Sequence, residues 1–310
     1  MVMTPAERAS AVAFSYKNCE LSGIVPSDVM VEAANGYQRG TLKLSNFAAT
    51  PERYKPHSNA QHEEHQPSEC NGSNENSLLG HTEIGIGDDA HPTNQRKRIG
   101  KRNETRLRGD RIFARSVRLI DYGWRAVGGL DELMTIHRGL FVGAMPGAGR
   151  FRTDNDAIVD ANLATDQSSP TDEPRNQQHQ PSSPYFPAAL IETGAANIFS
   201  QLAEQDYFSR LDRAGFIHAL ASIYDELNAL RPFAYGNGMV LRIYISELTH
   251  AVGWDLNWGT VTFDSYHDAT RKALVEHDIS GLERMFASII RLANPTRIFL
   301  ISGWDQGPAH

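Results

Sequence analysis

Apolar residues recur through the second half of the chain at the three-to-four-residue spacing of helices that turn one face inward. In IFARSVRLIDYGW, Ile112, Phe113, Val117, Leu119 and Ile120 keep that spacing, and GLDELMTIHRGLF continues it through Leu130, Leu133, Met134, Ile136, Leu140 and Phe141. Gly147 and Gly149 in GAMPGAGRFRT break the pattern and predict a loop. The polar, proline-bearing stretch that follows predicts a mobile surface insertion over about 160–184. A third helix is expected from Pro187, with Leu190, Ile191, Ile198, Phe199 and Leu202 on one side. A fourth is expected with Ser209 as N-cap and Asp212 three residues on, carrying Phe216, Ile217, Leu220, Ile223, Tyr224, Leu227 and Leu230. It is the most apolar of the set and so the expected central helix. MVLRIYISELTHAVG, DSYHDATRKALVEHD and ISGLERMFASIIRLA complete the series. No alternating run is long enough for a sheet of more than two strands, so an all-α domain is expected over 112–293, with a 294–310 tail holding one strand-like run.

The front of the chain has a different texture. Gly, Asn, Ser, His, Glu, Gln and Arg dominate from about residue 36 to about residue 110, and residues 1–110 read as a mostly disordered polar region. His57, His62 and His65 with Glu63 and Glu64 have metal-binding chemistry but no rigid frame, so the tract reads as solvated. The basic run over 96–111 holds Arg96, Lys97, Arg98, Lys101, Arg102, Arg106, Arg108 and Arg111. It lacks aromatics for stacking on bases, and a solvated linker is favoured over contact with nucleic acid or an acidic surface.

Composition narrows the class. Hydrophobic residues make up 40%, which leaves part of the chain without a core to enter. The formal charge of -7 argues against a protein that coats nucleic acid with its whole surface. Two cysteines, Cys19 and Cys70, exclude a disulfide-stapled scaffold and read as reduced thiols. No leader-like segment or membrane-length apolar window occurs, so the expectation is a soluble protein, cytoplasmic or delivered into another cell by a machine that reads other signals.

The informative feature is the junction Arg231-Pro232-Phe233-Ala234-Tyr235-Gly236-Asn237-Gly238-Met239-Val240-Leu241-Arg242 between two apolar helices. Gly-Asn-Gly before a helix exposes backbone N–H groups at the positive end of the helix dipole, where an anion can sit. Arg242, one turn further on, can add a guanidinium to the same anion. The same glycines also suit a tight connection with no ligand.

With these residues on view, the span 216–291 resembles the core of Fic (Fido) domains, whose signature reads H-P-F-x-[D/E]-G-N-G-R-x-x-R, and in particular the host-directed Fic effectors of bacterial pathogens. The flanks DELNALRPF, RIYISELTHAVGWDLNW and GLERMFASIIR fall in the family's order. Upstream, IHRGLFVGAMPGAGRFRT resembles the family's I-H-x-x-L-F…W-A-G-x-x-R-T, and Tyr185-Phe186-Pro187 sits where the family carries its target-docking flap. The resemblance implies the helical Fic fold over 112–293 and a lineage of enzymes that move AMP from ATP to a protein hydroxyl.

Departures from the signature fall on the chemistry. Arg231 stands at the general-base position, where a group with a pKa above about 12 cannot take a proton. Tyr235 stands at the magnesium-holding acid, and a neutral phenol is a poor ligand for a hard dication. Met239 stands at the first arginine and offers no donor. Pro232 and Phe233, which by resemblance anchor the loop, are retained, as are Gly236, Asn237, Gly238 and Arg242, which would still face a phosphate. His137, His218 and His250 are not placed to supply the missing base, and Tyr235 as a self-modification acceptor is a minor alternative. The family's inhibitory Ser/Thr-x-x-x-Glu helix has no recognisable copy. By resemblance, Trp254, Trp258, Tyr266, Asp268 and Ala269 lie on the adenine side.

The resulting expectation is a nucleotide- or anion-binding pseudoenzyme or interaction module, with ATP as a ligand, poor magnesium binding and a protein as target or regulatory partner. The alternative is an active nucleotidyltransferase that moves AMP or another phosphate-containing group to a hydroxyl of a target protein.

Overall fold

A computed structural model describes residues 3–53, 92–123, 128–154, 156 and 185–293, with the helical backbone alone over 92–102. The His57 to His65 group, Cys70, the 160–184 insertion and the 294–310 tail lie outside the described residues.

The N-terminal segment is helical, which corrects the expectation of a disordered front over the described part of 1–110. Thr4 opens α1 (Pro5–Glu20) through a reciprocal capping box: its hydroxyl accepts the Glu7 N–H at 3.3 Å, and the Glu7 carboxylate accepts the Thr4 N–H at 2.5 Å. Ser27 caps α2 (Asp28–Gln38), and two short helices follow, α3 (Leu44–Ala48) and α4 (Thr50–Arg53). The buried face of α1 consists of Ala11, Val12, Ser15, Asn18 and Cys19. Small and polar residues give it almost no hydrophobic periodicity, yet they let it approach closely. Ser15 and Ser116 share a buried hydrogen bond of 3.0 Å.

The next helix, α5 (Pro92–Tyr122), runs through the basic run instead of starting at Ile112. Asp110 on α5 accepts both the backbone N–H of Ser27 at 2.7 Å and its hydroxyl at 2.8 Å, and Tyr37 donates to Asp121 at 2.8 Å. Phe113 packs between Tyr16 and Phe47, which joins α1, α3 and α5 in one aromatic cluster.

Beyond α5 come α6 (Gly129–Phe141), α7 (Ile191–Glu204), α8 (Arg213–Leu230), α9 (Asn237–Ala251), α10 (Phe263–Glu276) and α11 (Ser280–Ile289). A short 3-10 turn, Ala188–Leu190, precedes α7. Asp212, and not the expected Ser209, caps α8 by accepting the Gly215 N–H at 2.8 Å; Ser209 instead donates to Asp206 in the preceding turn. The central helix is α9 instead of α8. Every residue over 239–249 is buried, whereas α8 buries one side. Strands β1 (Trp254–Leu256) and β2 (Ile290–Leu292) pair antiparallel, Trp254 opposite Leu292, and close the α9 to α11 end. The all-α class holds. No helix among the described residues is long and apolar enough to cross a membrane.

Because Val12 is fully buried on α1, Val12→Asp should cost at least about 3 kcal/mol in urea unfolding, the price of burying an unpaired carboxylate. An unchanged midpoint would mean that α1 is not part of the core.

Candidate functional site

The motif forms the turn between α8 and α9, and its geometry starts with a left-handed residue. Arg231 closes α8 at φ 44°, ψ 66°, unusual for a residue with a Cβ, and the turn is held there from outside. The buried Arg152 side chain donates to the Arg231 carbonyl at 2.6 Å, to the Leu230 carbonyl at 3.4 Å and to the Phe186 carbonyl. Its own N–H donates to the Pro232 carbonyl at 2.9 Å, and the Phe186 N–H donates to the Ala229 carbonyl at 3.0 Å. One guanidinium thus gathers the last carbonyls of α8, the motif turn and the 185–187 segment. The Arg231 guanidinium lies over the Tyr185 ring at 4.5 Å, and both residues are buried.

Inside the turn, Phe233 is fully buried and stacks on His137 of α6 at 4.0 Å. His137 accepts the Gly149 N–H on Nδ1 at 2.8 Å, so its proton sits on Nε2, which faces the Tyr235 carbonyl at 3.2 Å. Burial pushes its pKa down to about 4, partly opposed by the bond to Tyr235. Asn237 reaches back to Phe233, accepting its N–H at 3.0 Å and donating to its carbonyl at 2.7 Å. Its carboxamide is therefore engaged within the loop, not turned toward a phosphate as the sequence suggested. Gly236 has φ +71°, and a Cβ there would come within 2.3 Å of the Phe141 ring, so conformation and space both require glycine. Tyr235 packs edge-on to Phe141 at 5.2 Å and donates its hydroxyl to the Pro146 carbonyl at 2.5 Å; burial raises its pKa. Met239 is buried in the core.

Arg242 is the unexpected member. It is 1% exposed, and α1 holds it: Nε donates to Asn18 Oδ1 at 2.7 Å, and Nη2 donates to the Asn18 carbonyl at 2.9 Å and to Ser22 Oγ at 2.5 Å. Asn18 also donates to the Met239 carbonyl at 3.3 Å, and the guanidinium lies 4.7 Å from the Tyr266 ring centre. Nη1 has no hydrogen-bond partner, and a Cβ on Gly238 would lie 3.2 Å from it and 3.1 Å from the Tyr266 hydroxyl. The α9 N-terminus, Nη1 and the Tyr266 hydroxyl therefore converge on one small region.

The other candidates separate from this region. Trp258 is buried with its indole N–H on Ser246 at 2.9 Å, and Trp254 stacks on Phe216. Ala269 packs against Gly281, and Asp268 is exposed and paired with Lys272 at 2.8 Å. Of that set Tyr266 reaches the motif helix, at Arg242 and beside Gly238. His218 is exposed and bonded to Glu283, and His250 pairs with Asp255 at 2.8 Å at the far end of α9. Asn18 and Ser22 carry no motif of their own, and the readable clue to α1 is its Thr4 to Glu7 capping box; Arg152 and Tyr185 lie in the upstream and flap stretches that the resemblance singles out, but their contacts with the motif turn are not encoded there.

No family model matches the chain. It is 27% identical over 164 residues to the "Probable protein adenylyltransferase Fic" of Escherichia coli strain K12, covering 53% of this chain and 70% of that protein. It is 29% identical over 167 residues to "Protein adenylyltransferase VbhT" of Bartonella schoenbuchensis, covering 53% of this chain and 30% of that protein. Among solved structures it aligns with the N-terminal Fic domain of a putative cell filamentation protein from Bartonella quintana with bound ADP, at 18% identity and a TM-score of 0.49, over 62% of this chain and 86% of that one.

His137 is neutral when folded and titrates at its ordinary value of about 6.5 when unfolded. Above pH 6.5 neither state binds its proton and the full stability is present; as pH falls from 6.5 toward 4 the unfolded state takes the proton and stability is lost. Urea unfolding at pH 7 and pH 5 should show a drop about 2 kcal/mol larger in the wild type than in His137→Gln. Equal drops would show that His137 does not carry the effect.

Proposed function

The chain belongs to the Fic family, and within it we propose a member that holds a nucleotide or another phosphate-bearing anion but transfers AMP at a vanishing rate. The observation that carries this reading is Arg231. At the position of the family's base it offers a buried guanidinium laid on Tyr185, a group that cannot accept a proton near neutral pH. Loss of a general base costs about 10²–10⁴ in rate.

The donor set at the metal position does not fit magnesium. Tyr235 replaces the carboxylate, and its hydroxyl donates to a backbone carbonyl instead of presenting a free anionic oxygen. Loss of the metal's charge stabilisation raises the barrier by several kcal/mol more. Met239, turned into the core, leaves the distal phosphates without the family's first arginine.

Ground-state binding keeps its support. The α9 N-terminus and Arg242 Nη1 lie against the same small region, and Gly238 adds no side chain to it. An anion entering there meets Arg242 already held by Asn18 and Ser22, so the affinity expected is modest. On this reading the protein works through occupancy and contact with a protein partner, in its own cell or after delivery into another, and ATP is the first ligand to try.

Calorimetric titration with ATP, with and without magnesium, should give binding that magnesium does not strengthen, and incubation with labelled ATP should give no self-labelling. The variant carrying Arg231→His, Tyr235→Glu and Met239→Arg should gain magnesium-dependent labelling. Transfer by the wild type establishes the active nucleotidyltransferase instead, and absence of binding by both proteins removes the anion site.

A further inference from the structure

A buried cation ordinarily sits beside a carboxylate, and the one in the motif helix does not. Arg242 is 1% exposed and forms no ion pair among the described residues. Through Nε and Nη2 it meets the Asn18 side-chain oxygen at 2.7 Å, the Asn18 carbonyl at 2.9 Å and the Ser22 hydroxyl at 2.5 Å, and all three acceptors are neutral. Its face meets the ring of Tyr266.

Two titratable groups feel this charge, Cys19 and Tyr224, and neither supplies an anion. Cys19 is fully buried, and burial pushes its thiol up to about 12; burial also holds the Tyr224 phenol well above its ordinary value. Glu20, at the end of α1, is exposed and paired with Lys17 at 2.8 Å. The helix adds to the imbalance. Its N-terminus carries about half a positive charge, yet the first turn of α9 holds no acid and Gly236 gives it no side-chain cap. Arg242 Nη1 reaches back to that turn, 3.2 Å from where a Cβ on Gly238 would lie, and it has no acceptor. Positive charge is therefore set against positive charge in a buried place.

We propose that Asn18 and Ser22 are positioning residues for a phosphate-bearing ligand: they fix Arg242 through neutral acceptors, so that its charge stays uncompensated and the bound anion becomes its counter-ion. This deepens the anion reading above and rests on it. The donor count divides the work. Nε and Nη2 are engaged by α1, which sets the plane of the guanidinium, and Nη1 is left with its two N–H groups for ligand oxygens. A carboxylate in place of either acceptor would hold the side chain as well, but it would cancel the charge that attracts the ligand. Asn18 and Ser22 give orientation without neutralisation.

The test compares carboxylate with alanine at the same two positions of the full chain, by calorimetric titration with ATP and by thermal unfolding without ligand. Ser22→Asp and Asn18→Asp should unfold at midpoints no lower than Ser22→Ala and Asn18→Ala, because the new carboxylate pairs with Arg242. They should nevertheless bind ATP at least about tenfold more weakly than those alanine variants. A merely structural clamp gives the opposite order, with affinity following the midpoint. Wild-type protein that binds no ATP overturns both this inference and the anion reading. Wild-type protein that binds ATP, with carboxylate variants that bind as well as the alanine variants, overturns the inference alone, as do carboxylate variants whose midpoint and affinity fall together.

Discussion

The buried guanidinium of Arg242 is the constraint around which the rest of the molecule is arranged. A charge this far from water needs acceptors for its N–H groups, and α9 cannot supply them because its own carbonyls are engaged in the helix. The acceptors come from Asn18 and Ser22 at the end of α1, with the Tyr266 ring against the guanidinium face. The chain must therefore bring a segment more than two hundred residues away against the motif helix before the motif is complete. The capping box on α1, the Ser27 to Asp110 tie and the Phe113 cluster all serve to hold that segment in place.

The second half of the fold was legible because its helices are amphipathic in the ordinary way. Leu133, Ile136, Leu140 and Phe141 on α6, or Phe216, Leu220 and Leu227 on α8, recur at the helical period and are all buried. The first fifty residues were not, because α1 buries Ala11, Ser15, Asn18 and Cys19, residues whose burial reflects fit and hydrogen bonding instead of hydrophobicity. Centrality was misjudged for a related reason. An entirely buried helix need not be the most apolar one, and α9 carries Arg242, Ser246, Glu247 and Thr249 inside the core. The motif itself was visible in sequence, but the partners of its side chains were not: Asn237 closing on Phe233 and Arg242 closing on α1 are long-range choices that spacing does not encode.

Two sets of residues share the motif turn. Phe233, Gly236 and Asn237, with His137 behind them and Arg152 beside them, fix the path of the backbone. Positions 231, 235 and 239 hang on that frame, and their side chains are absorbed by Tyr185, Pro146 and the core.

The contact between Gly236 and Phe141 gives the frame its tolerance. The ring occupies the volume a methyl group would need, which makes the loop and α6 a single interlocked joint with clearance smaller than one carbon atom. Phe141 also touches His137 and Tyr235, so a displacement of the loop by a few tenths of an ångström must reappear as a rotation of that aromatic stack. The motif turn therefore behaves mechanically as part of a rigid lever whose other arm is α6, and its shape is set by sterics before any ligand arrives.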